Sequence, residues 1–214
     1  MAIITSGPYL GVRGTFGGNT YYQDKWGRTI LKRKNSKSNQ PPTLGQLSVI
    51  GDTRIINTFM APLKTFALIG FELEALHTMS NEYNAMVSYN RINAIRGIYP
   101  HRSIDYAKVL MTKGDLPVAE DLGVSVTTNG FTFSWNQATS YTLTHHTDQV
   151  MMMAYFSELK ELRFIAGGAE RSVGSDLLNL NGIARGYEAE VYIAFISADR
   201  QCISNSVYLD KLNW

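Results

Sequence analysis

The chain has 214 residues, a single cysteine, a hydrophobic fraction of 44% and a formal charge of +2, a make-up that suits one large or two modest folded domains and excludes a disordered or disulfide-stapled chain. The near balance hides a split, because residues 1–64 hold nine Lys or Arg against two acids, so one end of the chain attracts an acidic partner, nucleic acid or the acidic part of a sister subunit. The opening MAIITSGPYLG lacks the cationic start and the apolar length of a signal peptide, and no later run is long enough to span a membrane; synthesis in the cytoplasm without a signal peptide is the expectation.

In chain order, Gly11, Gly14, Gly17 and Gly18 precede two β-rich runs, NTYYQ and RTILKRK, joined by Asp24-Lys25-Trp26-Gly27. This predicts a β-hairpin with a flexible glycine-rich lead-in, the whole of residues 1–42 forming a basic arm. The arm's candidate partner-binding residues are Tyr21, Tyr22, Trp26, Lys32, Arg33, Lys34 and Lys37. Consecutive prolines at 41 and 42 end regular structure. Thr43 with Gln46 three residues on forms a capping box, so a helix should start there and be broken or restarted at Pro62.

A second helix is predicted over about 81–95, with Tyr83, Met86, Val87 and Asn90 on one face and Gly97 as its stop. IDYAKVLMT then reads as a strand closed by KGDLP, and residues 43–116 form a helical region with that one strand. Beyond Pro117, VSVTTNGFTFSWN, DQVMMMAYFSE, ELRFIAG, LLNLNG, EAEVYIAFISAD and QCISNSVYLD are short runs separated by polar turns, the pattern of an antiparallel β-sandwich over 117–214. The predicted fold class is α+β, mainly β: an amino-terminal hairpin arm and short helices followed by a carboxy-terminal antiparallel β-sandwich.

With Trp135 on an early strand and YEAEVYIAFISAD leading to SNSVYL at the end, the carboxy-terminal part resembles a fibronectin type III or immunoglobulin-like domain. The glycine-spaced start, the NQPPT run into a helix, SYNRINAIRGIYPHRSIDYAKVLMTKGDLP and the SNSVYL ending together resemble a family of uncharacterised proteins of about this length from Bacteroidota. That resemblance implies no activity and no catalytic residue.

The spacing Gly11-x-x-Gly14-x-x-Gly17 lacks the preceding strand and following helix that a phosphate-cradling loop needs. His145, His146 and Asp148 are the only close metal-competent cluster, and a solvated loop explains them better than ligation. Cys202 in an alternating run reads as a buried thiol, and Met151-Met152-Met153 as a central strand covered on both faces. No nucleophile elbow is present.

These readings point to a non-enzymatic structural or assembly protein without a cofactor, its arm contacting a second copy or another structural subunit, with a virion or phage-like particle as the setting. The rival readings are a glycan- or protein-binding module using sandwich-loop aromatics such as Tyr141 or Tyr187, and nucleic-acid binding through the basic arm.

Overall fold

A computed structural model of the chain describes residues 1–24, 26–35, 40–76, 78, 80–137 and 145–214. Its backbone divides into two compact units, Met1–Thr43 and Leu44–Trp214. Among the described residues strand outweighs helix and every strand pair is antiparallel, so the fold is α+β, mainly β.

In the first unit, β1 (Ala2–Ile4), β2 (Gly14–Phe16), β3 (Asn19–Gln23) and β4 (Thr29–Arg33) form one sheet in the order β1-β4-β3-β2. The expected hairpin is β3–β4. The glycine-rich lead-in is not a loose tether, however: it supplies two further strands. Gly17 and Gly18, at φ 56° and 77°, join Phe16 to Asn19 as a two-residue turn. A turn with positive φ at both positions matches the twist of the strands it connects, and only glycine adopts it without strain.

The second unit opens with α1 (Leu44–Met60), directly after Thr43. Pro62 cannot donate to the helical ladder, and the chain passes through a short 3-10 turn, Ala61–Leu63, into α2 (Lys64–Gly70). Next come α3 (Glu72–Leu76) and α4 (Glu82–Asn93). The Asn81 side chain caps α4 by accepting from the Asn84 amide at 2.8 Å. Contrary to expectation α4 ends before Gly97. That glycine, at φ 90°, lies within β5 (Ile95–Ile98), which pairs with β6 (His101–Ile104).

The strand expected over IDYAKVLMT is also absent. Tyr106–Lys108 makes a 3-10 turn, and the residues after it are held by side chains in place of a ladder. The Leu110 amide donates to Asn90 Oδ1 (2.8 Å), Asn90 Nδ2 donates to the Leu110 carbonyl (2.9 Å), and the Met111 amide donates to Ser206 Oγ (2.7 Å). Asn90 and Ser206 thus satisfy the backbone that a neighbouring strand would otherwise serve.

The sandwich follows. One sheet contains β7 (Gly123–Val126), β8 (Gly130–Ser134) and β11 (Ser175–Asn179), in the order β11-β8-β7. The other contains β9 (Gln149–Phe156), β10 (Glu161–Ile165), β12 (Glu188–Ile196) and β13 (Val207–Asn213), in the order β10-β9-β12-β13. Strand alternation divides β9 and β12 between two cores. Val150, Met152, Ala154 and Phe156 meet Phe131, Phe133, Trp135 and Leu178 inside the sandwich. Met151, Met153 and Tyr155 meet Ile56, Phe59, Met60 and Phe66 of the helices on the opposite face. The three consecutive methionines are fully buried for this reason.

Gly70, the last residue of α2, shows how tightly the helices are seated. A Cβ there would lie 2.4 Å from the Met111 carbonyl oxygen. Gly70→Ala is expected to destabilise the unit by about 1–3 kcal/mol, as overpacking does, and urea denaturation measures it.

On the helical face of the four-stranded sheet Glu190 is buried and accepts a 2.7 Å hydrogen bond from the Tyr208 hydroxyl. Burial pushes its carboxyl above the usual range, while Tyr208 and Lys211 pull it back in part. Between the unfolded and folded values the folded chain holds a proton that the unfolded chain has released, so stability falls as pH rises through that window. Glu190→Gln keeps an acceptor for Tyr208 and removes the ionisation. Thermal melts from acid to neutral pH should show a flatter profile for the variant and a higher melting temperature near neutrality.

Candidate interaction surface

The residues proposed as partner-binding lie in the first unit, but they do not form one patch. Directly opposed residues in an antiparallel ladder share a face. Ile3, Ile30 and Tyr22 therefore stand in one row, with Lys32 opposite Thr20 on the same face. The other face holds Tyr21, Phe16 and Arg33. Tyr21 is buried, its ring stacked on Phe16 at 4.5 Å and 6° and on Tyr9 at 5.9 Å, so it supports the surface without offering a ring to a partner. Lys34 follows β4, its amide donating to the Gly18 carbonyl at 2.9 Å. Lys37 lies outside the described residues.

Trp26 sits at the opposite end of the hairpin, in the β3–β4 loop. Asp24 organises that loop. Its carboxylate accepts from the amides of Trp26 (3.0 Å) and Arg28 (2.9 Å) and from Arg28 Nε (2.7 Å). Partial desolvation acts against it, but these donors hold the Asp24 carboxyl below its usual range. The Arg28 guanidinium lies 4.8 Å from the centre of the half-exposed Trp26 ring, a cation–π contact.

The unit's composition sets its behaviour. Residues 1–43 contain seven Lys or Arg and one acid, a net +6, and since the whole chain is +2, residues 44–214 carry −4. Lys32, Arg33 and Lys34 are exposed, and no ion pair engages them among the described residues. Among the described residues of the unit seven large apolar side chains are exposed (Met1, Ile3, Tyr9, Leu10, Phe16, Tyr22 and Trp26), whereas only Tyr21 and Ile30 are buried. The arrangement can supply charge-assisted hydrogen bonds and apolar contact.

A second cluster, in the Leu44–Trp214 unit, was misread from sequence. Asp148 is buried, not solvated. His145 Nδ1 is 3.1 Å and Arg171 Nη2 3.4 Å from its Oδ2. Arg171 is fully buried, donates to the Pro117 carbonyl at 2.6 Å and lies 4.3 Å from the centre of the Phe195 ring. Its own carbonyl accepts from Trp135 Nε1 at 2.7 Å. Burial raises the Asp148 carboxyl, and Arg171 and His145 oppose that rise. The pair ties the 145–148 segment to the sandwich core. Among the described residues no group of three His, Cys, Asp or Glu could hold a metal ion.

Cys202 corrects another expectation. It is exposed, because residues 197–202 form a tight turn between β12 and β13 and do not continue either strand. The turn is closed by the Ser197 amide donating to the Cys202 carbonyl and the Cys202 amide donating to Ser197 Oγ, both 2.9 Å. Of the aromatics considered for a binding module, Tyr187 is half-buried against the sandwich core, and Tyr141 lies outside the described residues. No helix among the described residues is long and apolar enough to cross a membrane.

No curated protein and no solved structure matches the chain. A family model described as a family of unknown function, DUF6266, matches residues 13–210, and the chain belongs to that family.

Proposed function

We propose that this protein is a non-enzymatic assembly subunit whose first 43 residues dock on the acidic Leu44–Trp214 unit of a neighbouring copy. The observation that carries the reading is the mismatch within the first unit, seven large apolar side chains exposed against two buried, at a charge of +6. A domain of this size without a disulfide or metal rarely buries enough surface to stand alone. Covering its apolar rows and meeting its cations with the −4 unit of another copy relieves both deficits at once. A repeating particle such as a virion or phage-like shell is the setting that best uses this exchange.

The remainder of the chain suits a rigid spacer. The order of its sandwich sheets, β11-β8-β7 against β10-β9-β12-β13, supports reading it as a fibronectin type III-like domain with a helical layer added to one face.

Sedimentation of the full chain tests the proposal. Wild-type protein should be heavier than a monomer at low salt and should dissociate in about 1 M salt, where the screening length falls to ~3 Å. The Lys32→Glu, Arg33→Glu, Lys34→Glu triple variant should be monomeric at every salt concentration. An unchanged mass for the triple variant would refute the docking. A monomeric wild-type protein that shifts single-stranded DNA in a salt-sensitive manner would move the function to nucleic-acid binding.

A further inference from the structure

Within the Leu44–Trp214 unit, a cavity of about 380 Å³ opens between α1, the Tyr106–Lys108 turn and the β9–β10 connection. Its walls include Arg54, Phe59, Tyr106, Tyr155, Ser157 and Lys160. That volume falls in the range of sites for small organic ligands. The three aromatic rings form a continuous apolar lining: Phe59 meets Tyr155 edge-on at 4.9 Å and Tyr106 at 5.7 Å, and Tyr106 lies 6.2 Å from Tyr155.

The polar groups of the cavity carry the argument. Tyr155 is 3% exposed; no hydrogen bond joins its hydroxyl to another described residue, and that oxygen is not one of the fully buried side-chain atoms left without a partner, so it is reached from the cavity that the side chain lines. Its neighbour Tyr192 is engaged, donating to the Tyr106 carbonyl at 2.8 Å. Arg54 and Lys160, both exposed, stand on the rim, and among the described residues no ion pair engages them. No Asp or Glu lines the cavity. The nearby acids are occupied elsewhere, Asp105 by Lys108 at 3.8 Å and Glu190 by Tyr208 at 2.7 Å.

We propose that this cavity binds a small organic anion with an apolar body, the body against Phe59 and Tyr106 and the carboxylate toward Arg54, Lys160 and the Tyr155 hydroxyl. The two cations select charge, the rings select an apolar tail, and the unpartnered phenol is the fixed donor that orients the head.

Calorimetric titration of the full chain with phenylbutyrate, phenylbutanol and acetate tests the assignment. Phenylbutyrate should bind about tenfold tighter or more than phenylbutanol, which loses the hydrogen bonds to a charged head, and about tenfold tighter or more than acetate, which loses the buried apolar body. Arg54→Ala and Lys160→Ala should each weaken phenylbutyrate several-fold. Tyr155→Phe should weaken it about tenfold while leaving the melting temperature unchanged, because that hydroxyl holds nothing inside the protein. Equal binding of phenylbutanol and phenylbutyrate, indifference of phenylbutyrate to both cation substitutions, or no heat from phenylbutyrate up to its solubility limit would overturn the proposal.

Discussion

Asp148→Ala is expected to destabilise the protein by about 3–5 kcal/mol, the loss that follows when one partner of a buried ion pair is removed. Arg171 is fully buried, so its guanidinium cannot turn to water once the carboxylate is gone. For a chain of this size the melting temperature should fall by roughly 10 °C or more. The same physics gives a control. The elevated Asp148 carboxyl reflects desolvation that outweighs attraction from Arg171 and His145, so the pair is costly to bury as well as costly to break. Replacing both members, Asp148→Leu with Arg171→Met, should therefore recover most of the loss, and urea denaturation of the single and double variants separates the two contributions.

Trp135→Ala is the second large effect, about 3–5 kcal/mol, as for other buried aromatic truncations. The indole packs edge-on against Phe195 at 5.6 Å and donates its Nε1 hydrogen to the Arg171 carbonyl at 2.7 Å. Its removal opens a cavity in the sandwich and leaves that buried carbonyl without its donor. Because Trp135 and Asp148 both act on Arg171, their losses should not add. A double-mutant cycle should give a coupling of about 0.5 kcal/mol or more, whereas two independent sites would sum within that margin.

Local features of the chain were readable from the sequence where the physics is local. The alternating runs NTYYQ and RTILKRK on either side of Asp24-Lys25-Trp26-Gly27 specify a hairpin without help from the rest of the chain, and Pro62 breaks a helix wherever it is placed, whereas Gly17-Gly18, read as part of a flexible lead-in, turns out to be a second hairpin turn. The apolar run Met151-Met152-Met153 signalled a strand covered on both faces, although not that α1 and α2 supply one of the covers. Features that depend on distant partners stayed hidden. Leu110 and Met111 look strand-like by composition, yet Asn90 and Ser206 satisfy their amides from elsewhere in the chain. Asp148 looked solvated because Arg171, 23 positions away by number, carries no local sign of being buried. Tyr155, on the same strand as the methionine run, is core, but the cavity its hydroxyl reaches is visible only once Phe59 and Tyr106 are placed beside it.

For the surface of the first unit, the sequence supplied the inventory but not the grouping. Tyr21 and Tyr22 are neighbours in the chain and face opposite sides of the sheet, one buried under Phe16 and Tyr9 and the other exposed beside Ile30. Trp26 lies at the far end of the hairpin from Lys32 and Arg33. A partner that covers this unit must therefore meet an apolar row and a cationic end together; in the proposed docking, the net charge of −4 on the Leu44–Trp214 unit of another copy would meet the second requirement.

The most direct measurement is zero-length cross-linking of carboxylates to lysines in an equal mixture of ¹⁴N- and ¹⁵N-labelled full-length chains, followed by mass spectrometry. Docking between copies predicts mixed-isotope peptides joining Lys32 or Lys34 to Asp or Glu residues of the Leu44–Trp214 unit, and their disappearance at high salt. Cross-links from those lysines confined to same-isotope peptides, with the protein sedimenting as a monomer, would contradict the account.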